Sequence, residues 1–296
     1  MITPAYLKKG NKIGIVAPAR KISNEEIQFA VDTFKKWGLD VVFGKNIFGS
    51  DNQYSGSDEQ RTVDLQTMLD DDSIRAIISA RGGYGTLRII DKLDFKKIQK
   101  SPKWIIGYSD ITVLHSHIHQ NFGIETLHAT MPINFQRDEE SVETLRKVLF
   151  GEKLVYEIPK HTLNRNGEAS GELVGGNLSL LYALQGSKSD INTDGKILFI
   201  EDLDEYLYHI DRMMISLKRS GKLNRLTGLV IGGMTDMKDN QIPFGKTAEE
   251  IILDAVKEFK YPVCFGFPAG HLPKNLALPF GRRAKLNIGE KVSLSC

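Results

Sequence analysis

The sequence predicts an α/β protein in two parts, a parallel sheet covered by helices on both faces followed by a smaller, less regular α/β unit. Three observations predict it. Short continuous apolar runs alternate with amphipathic helical stretches through the first half, which is the rhythm of βαβ units. The texture turns polar over residues 151–170, through Lys160, His161, Thr162, Asn164, Arg165 and Asn166. The length of 296 residues is two domains' worth at roughly 150 residues each, or one large α/β unit with an appendage. The expected division is therefore 1–150, a linker at 151–170, and 171–296.

Taken in order, Ile13–Val16 is the first apolar run. Ser23 then reads as a helix N-cap, with Glu26 three residues on completing a capping box. Ile27, Val31 and Phe34 share one face of that helix and Gly38 closes it. A strand over 40–43, a helix over 60–69, and strands over 76–79 and 104–106 follow. These strands are apolar throughout rather than alternating, so both faces of the sheet are expected to be covered, with ligands gathering at the strands' carboxyl ends. Past the polar stretch, glycine-rich Gly171–Gly176 opens the second part. A helix over 178–184, strands at 197–200, 228–231 and 263–267, helices through 211–217 and 248–259, and a β-like tail over 284–294 complete it.

Composition narrows the partners. With 41% hydrophobic and 26% charged residues the chain is globular, and disorder and collagen are excluded. Thirty-nine basic against 37 acidic residues leave a net charge of +2, too little to hold the chain on nucleic acid or on an anionic membrane, so a small molecule is the expected partner. Cys264 and Cys296 cannot make a disulfide framework and no Cys-x-x-Cys occurs, which suits a reducing cytoplasm. The run Ile13–Ala19 is too short to span a bilayer. Lys8 and Lys9 ahead of it faintly resemble a signal peptide, but Asn11 and Lys12 interrupt the approach, and a buried first strand is expected.

The sharpest local feature runs from Lys103 to Leu114: an apolar strand, Gly107, then Ser109 directly before a helical run. A hydroxyl there projects from the sheet's carboxyl edge, and the backbone N–H of Asp110 faces the same space to receive an oxyanion. The segment is similar to a nucleophile elbow, although Ile111 stands where G-x-S-x-G has its second glycine. Alternatively Ser109 is an N-cap worth about 1 kcal/mol and nothing to chemistry. The loop Ser79–Thr86 offers unhindered N–H groups at Gly82 and Gly83, either as a second oxyanion donor or as a simple turn. It is not a dinucleotide loop, since Arg88 stands at the third glycine position. Arg81 in the same loop can fork a substrate carboxylate or serve in a structural ion pair.

A hydroxyl nucleophile needs a base, and the base an orienting carboxylate. His115 and His119 lie four apart on one helix but lack an accompanying acid, so no metal is expected. His271 ends the strand-to-loop segment that begins at Val263, and Glu201 is the first residue past the apolar run 197–200. Ser109, Glu201 and His271 each follow an apolar run, and only tertiary folding can unite them.

These segments carry a resemblance. Val16-Ala-Pro, Arg81-Gly-Gly-Tyr-Gly, Gly107-Tyr-Ser-Asp-Ile-Thr, Gly175-Gly-Asn-Leu-Ser-Leu-Leu, Leu198-Phe-Ile-Glu-Asp, Ile210-Asp-Arg-Met, Gly266-Phe-Pro-Ala-Gly-His and Leu278-Pro-Phe-Gly resemble, nearly end to end, the muramoyltetrapeptide LD-carboxypeptidases, a serine-peptidase family. The resemblance implies Ser109 as nucleophile, Glu201 as acid and His271 as base. It also implies a flavodoxin-like N-terminal half, a cytoplasmic homodimer, no cofactor, and removal of terminal D-alanine from muramoyl tetrapeptides during peptidoglycan recycling. A sister branch hydrolyses microcin-type peptidyl nucleotides, and a muropeptide sensor without turnover is a further alternative. The chain departs from the family at His128-Ala-Thr-Met131, where the usual reading is His-Gly-Pro-Met, so the wall below the serine is expected to differ.

Overall fold

A computed structural model describes all 296 residues. Its first sheet is built from β1 (Lys12–Val16), β2 (Asp40–Phe43), β3 (Ile74–Ser79), β4 (Trp104–Gly107) and β5 (Thr126–His128), all parallel. Helices α1 (Asn24–Lys36), α2 (Asp58–Asp70), the short α3 (Thr86–Ile89) and α4 (Lys96–Lys100), α5 (Thr112–Phe122) and α6 (Glu139–Leu149) connect and cover them. Ser23 caps α1 in the expected capping box with Glu26, and Ser57 with Gln60 does the same for α2, which therefore starts two residues earlier than the apolar pattern suggested. Strand residues divide between two cores, as a doubly covered sheet requires. Ile13, Ile15, Ala76, Ile78, Trp104 and Ile106 pack on one side, and Val16, Ile77 and Ile105 on the other.

The second sheet is mixed. It contains β6 (Val155–Ile158), β7 (Gly167–Asn177), β8 (Ile197–Leu203), β9 (Gly228–Thr235) and β10 (Val263–Cys264). After β11 (Leu278–Phe280) come β12 (Arg283–Ile288) and β13 (Val292–Ser295). Its spatial order is β10-β9-β8-β7-β12-β13-β6. Helices α7 (Leu178–Ala183), α8 (Leu207–Arg219) and α9 (Ala248–Ala255) accompany it. The glycine-rich opening is not irregular, as the sequence suggested, but part of the eleven-residue strand β7. Residues 167–172 of β7 pair antiparallel with β12, and residues 173–177 pair parallel with β8.

Two features bear on how the halves join. β6 lies inside 151–170 and forms the outer edge of the second sheet. β11 leaves the second half to pair antiparallel with β5 at the edge of the first sheet. One apolar core consequently runs through both parts, from Ile13 and Phe34 to Phe199, Phe280 and Leu294.

Candidate active site

Ser109 stands directly past the carboxyl end of β4, with φ +63°, a left-handed conformation that costs a non-glycine residue about 1–3 kcal/mol. Gly107 makes the turn possible. Its φ is +151°, and a Cβ there would lie 2.8 Å from the Ile111 side chain. Space left by the first glycine of the elbow is thus filled by the bulky residue at the position of the second. The Ser109 hydroxyl makes no helix cap; its partner is Nε2 of His271 at 3.0 Å.

His271 lies on the loop between β10 and β11. Its Nδ1 is 2.6 Å from Oε2 of Glu201, and its backbone N–H donates to the same oxygen at 3.1 Å. Glu201 is wholly buried on β8, where the register with β9 slips between Ile200 and Asp202. Strand alternation puts Glu201 on the face of Phe199, which is turned toward the first sheet. Burial pulls the imidazole's pKa down, but the Glu201 carboxylate, through its charge and hydrogen bond, and more distantly Asp202, outweigh it and leave the value raised above 6.5.

The glycine loop after β3 closes over the serine. A Cβ on Gly82 would sit 2.9 Å from Ser109 Cβ and 3.1 Å from its Oγ, so only glycine fits. The N–H groups of Gly82 and Gly83 donate to no acceptor in the chain. The buried side chain of Asp110 accepts from the N–H of Thr86 at 2.8 Å, tying the elbow to the end of this loop. Arg61, also buried, reaches the carbonyls of Pro18 and Gly85 and holds the loop from behind.

Together these groups open onto a cleft of about 500 Å³ lined by Ser109, His271, Gly82, Gly83, Tyr108 and Met131 together with Arg20, Arg81 and Arg137. Arg81 is half-buried and one of its guanidinium nitrogens donates to the Lys21 carbonyl at 3.1 Å. The Tyr108 ring meets His271 edge-on at 5.0 Å, and its hydroxyl accepts from Asn134 at 2.7 Å. Burial, with the Glu201 charge, pushes that phenol up to about 12, so it stays protonated at neutral pH. In the departing segment His128-Ala-Thr-Met131 all four residues are buried, and Met131 alone of them reaches the cleft wall.

Sequence reasoning passed over Arg20, Tyr108, Arg137, Asp202 and Asn177. Asn177 and Asp202 brace the site: the Asn177 side-chain amide donates to Asp202 at 2.8 Å and its backbone N–H donates to Thr112 Oγ1 at 2.9 Å. Asp202 is driven up to about 6 by burial beside Glu201. An asparagine directly before the helical run at Leu178 was an N-cap signal that could have found the first of them. His115 and His119 are both buried, with His115 Nε2 on the Gly107 carbonyl and His119 Nε2 on Thr126 Oγ1. No helix is long and apolar enough to cross a membrane.

A strained serine on a strand-to-helix turn, in line with an imidazole and a buried carboxylate, is the constellation of serine hydrolases working by acyl transfer. The family models for the LD-carboxypeptidase N-terminal domain and C-terminal domain match residues 13–129 and 170–286, and the chain belongs to that family of peptidases. A probable murein peptide carboxypeptidase of Bacillus subtilis is 37% identical over 300 residues, covering 98% of this chain and 93% of the relative. The crystal structure of muramoyltetrapeptide carboxypeptidase from Oxalobacter formigenes superposes with TM-score 0.87 at 26% identity, over 96% of this chain and 98% of that one. The microcin C7 self-immunity protein MccF shares the fold, with TM-score 0.87 at 22% identity over 99% and 97% of the two chains.

Proposed function

We propose that the protein is a serine-type LD-carboxypeptidase that releases the terminal D-alanine of L,D-linked muramoyl tetrapeptides. The observation that carries the reading is the unbroken line from Ser109 Oγ through His271 to Glu201, beside a glycine loop with free N–H groups. Ser109 attacks the carbonyl carbon before the terminal residue and its proton passes to Nε2 of His271. The resulting oxyanion accepts from the N–H of Asp110 and of Gly82 or Gly83, aided by Arg81 on the bound peptide. The C–N bond breaks as the imidazolium protonates the departing amine. Water, deprotonated by His271, then cleaves the acyl ester and frees the tripeptide. Glu201 fixes the tautomer and stabilises the imidazolium. Residues 1–150 supply the nucleophile and 171–296 the acid and base. We further propose that the protein works as a cytoplasmic homodimer in peptidoglycan recycling; its two unpaired cysteines suit a reducing compartment.

The test is release of D-alanine from tetrapeptide by purified protein. Wild type is expected to release it in the presence of EDTA, and folded Ser109→Ala to be slower by about 10³-fold or more. Normal turnover by Ser109→Ala removes the serine mechanism, and loss in EDTA points to a metal. Cleavage of a peptidyl adenylate but not of tetrapeptide moves the protein to the microcin-immunity branch. Tight binding without product makes it a sensor.

A further inference from the structure

We propose that Arg137 is the residue that reads the free carboxylate of the amino acid being released, with Arg20 and Arg81 facing the acyl portion on the opposite wall; this rests on the hydrolytic reading above. In the sequence of strands β5-β4-β3-β1, the serine at the end of β4 has the β3 and β1 loops on one side and the β5 loop on the other. The β3 loop carries Arg81, Gly82 and Gly83, and the β1 loop brings the stem of Arg20 against Gly83, 2.6 Å from where its Cβ would stand. That wall holds the oxyanion donors. The β5 loop carries Asn134 and Arg137, joined by the Arg137 N–H donating to the Asn134 carbonyl at 2.9 Å.

Acyl transfer assigns the two walls different parts of the substrate. The carbonyl oxygen must point to the N–H donors, so the departing nitrogen must point to the imidazole that protonates it. His271 packs edge-on against Tyr108, and the Tyr108 hydroxyl is held by Asn134 of the β5 loop. The leaving amino acid therefore lies along the β5 wall, and its carboxylate is two bonds from the departing nitrogen. Arg137 is the arginine on that wall. Its guanidinium makes no hydrogen bond or ion pair within the chain, whereas Arg81 already donates to the Lys21 carbonyl. A planar fork over a carboxylate supplies two charge-assisted bonds that an amide cannot match.

The experiment compares tetrapeptide ending in free D-alanine with the same peptide ending in D-alaninamide. Wild type is expected to prefer the acid, and Arg137→Gln to lose roughly 10- to 100-fold in kcat/KM on the acid while losing much less on the amide, so that the ratio collapses toward one. Arg137→Lys should restore part of the preference. Arg20→Gln and Arg81→Gln should lower both substrates together and keep the ratio. An active Arg137→Gln that retains the wild-type ratio overturns the assignment while leaving the hydrolytic reading intact. Wild type that cleaves neither peptide overturns that reading and the assignment with it.

Discussion

The imidazole of His271 illustrates how much a single buried neighbour decides. As a base it must be neutral, yet Glu201 raises its pKa above 6.5, so the acid limb of kcat/KM lies above the pH of an ordinary histidine. Glu201→Gln is expected to move that limb to lower pH and to reduce the plateau by about 10³- to 10⁴-fold, measured as a pH profile on tetrapeptide. The same pair has a signature in stability. A histidine whose pKa is raised on folding stabilises fully below its unfolded value of 6.5, and that contribution disappears as pH rises through the folded value. The urea-midpoint difference between wild type and Glu201→Gln should therefore be larger near pH 6 than near pH 9; a constant difference would mean that the pair adds no pH-linked stability. Ser109, Glu201 and His271 could be picked from the sequence because each follows an apolar run, although Glu201 lies within β8 and His271 seven residues past β10 rather than at a strand end. Arg20 and Arg137 could not. An exposed arginine on a loop has no periodicity or spacing to mark it, and its meaning comes from the strand order that puts one loop on either side of the serine.

At the level of elements, α1 was the most readable because its start carries chemistry of its own in the Ser23–Glu26 box, whereas α6, capped by Asp138, went unread and α9 stops at Ala255 rather than 259. β7 was harder to read, since its glycines at 171, 175 and 176 read as the start of a less regular unit. The structure explains them by close approach: a Cβ on Gly175 would fall 1.9 Å from the Phe199 carbonyl oxygen, so the strand can lie beside β8 only without one. β10 shrank to two residues, against the five expected, because Gly266, Pro268 and Gly270 turn the chain out of the sheet to present His271. The glycine loop yields a sharp expectation. Gly82→Ala should fold normally and lose nearly all activity, since its methyl would press on the Ser109 hydroxyl; circular dichroism and D-alanine release would check both halves. Helix α5 and β5 yield another. Burial lowers His115 to about 4 and His119 and His128 well below 6.5, so all three are neutral in the fold. The stability linked to them is complete above pH 6.5 and falls as pH drops below it, because the unfolded chain takes up protons that the buried rings refuse; for His115 the decline runs from 6.5 toward about 4. His128→Phe, in its cage of Tyr108, Phe199 and Phe280, should flatten this acid decline in denaturation curves recorded at several pH values.

For the whole molecule, the two-part reading from sequence captured the α/β rhythm and missed how the parts interlock. A change of texture marks where a chain leaves one sheet, but not that a three-residue strand will return to it 150 residues later. Because one apolar core and one sheet are shared by both parts, the protein is expected to unfold in a single calorimetric transition. Residues 1–150 expressed alone, lacking β11, should be poorly folded and aggregation-prone, with the outer edge of β5 uncovered. Two separate transitions, or a stable and monomeric 1–150 fragment, would contradict this.

The late arrival of β11 also sets a timetable for biosynthesis. About 150 residues separate β5 from the strand that covers it, an interval of roughly 10–30 s at the usual pace of a ribosome. Throughout that interval the growing chain carries a serine without its base, because His271 is delivered seven residues ahead of β11. A nascent chain is therefore sticky for as long as it is inert, and the segment that ends the one condition ends the other.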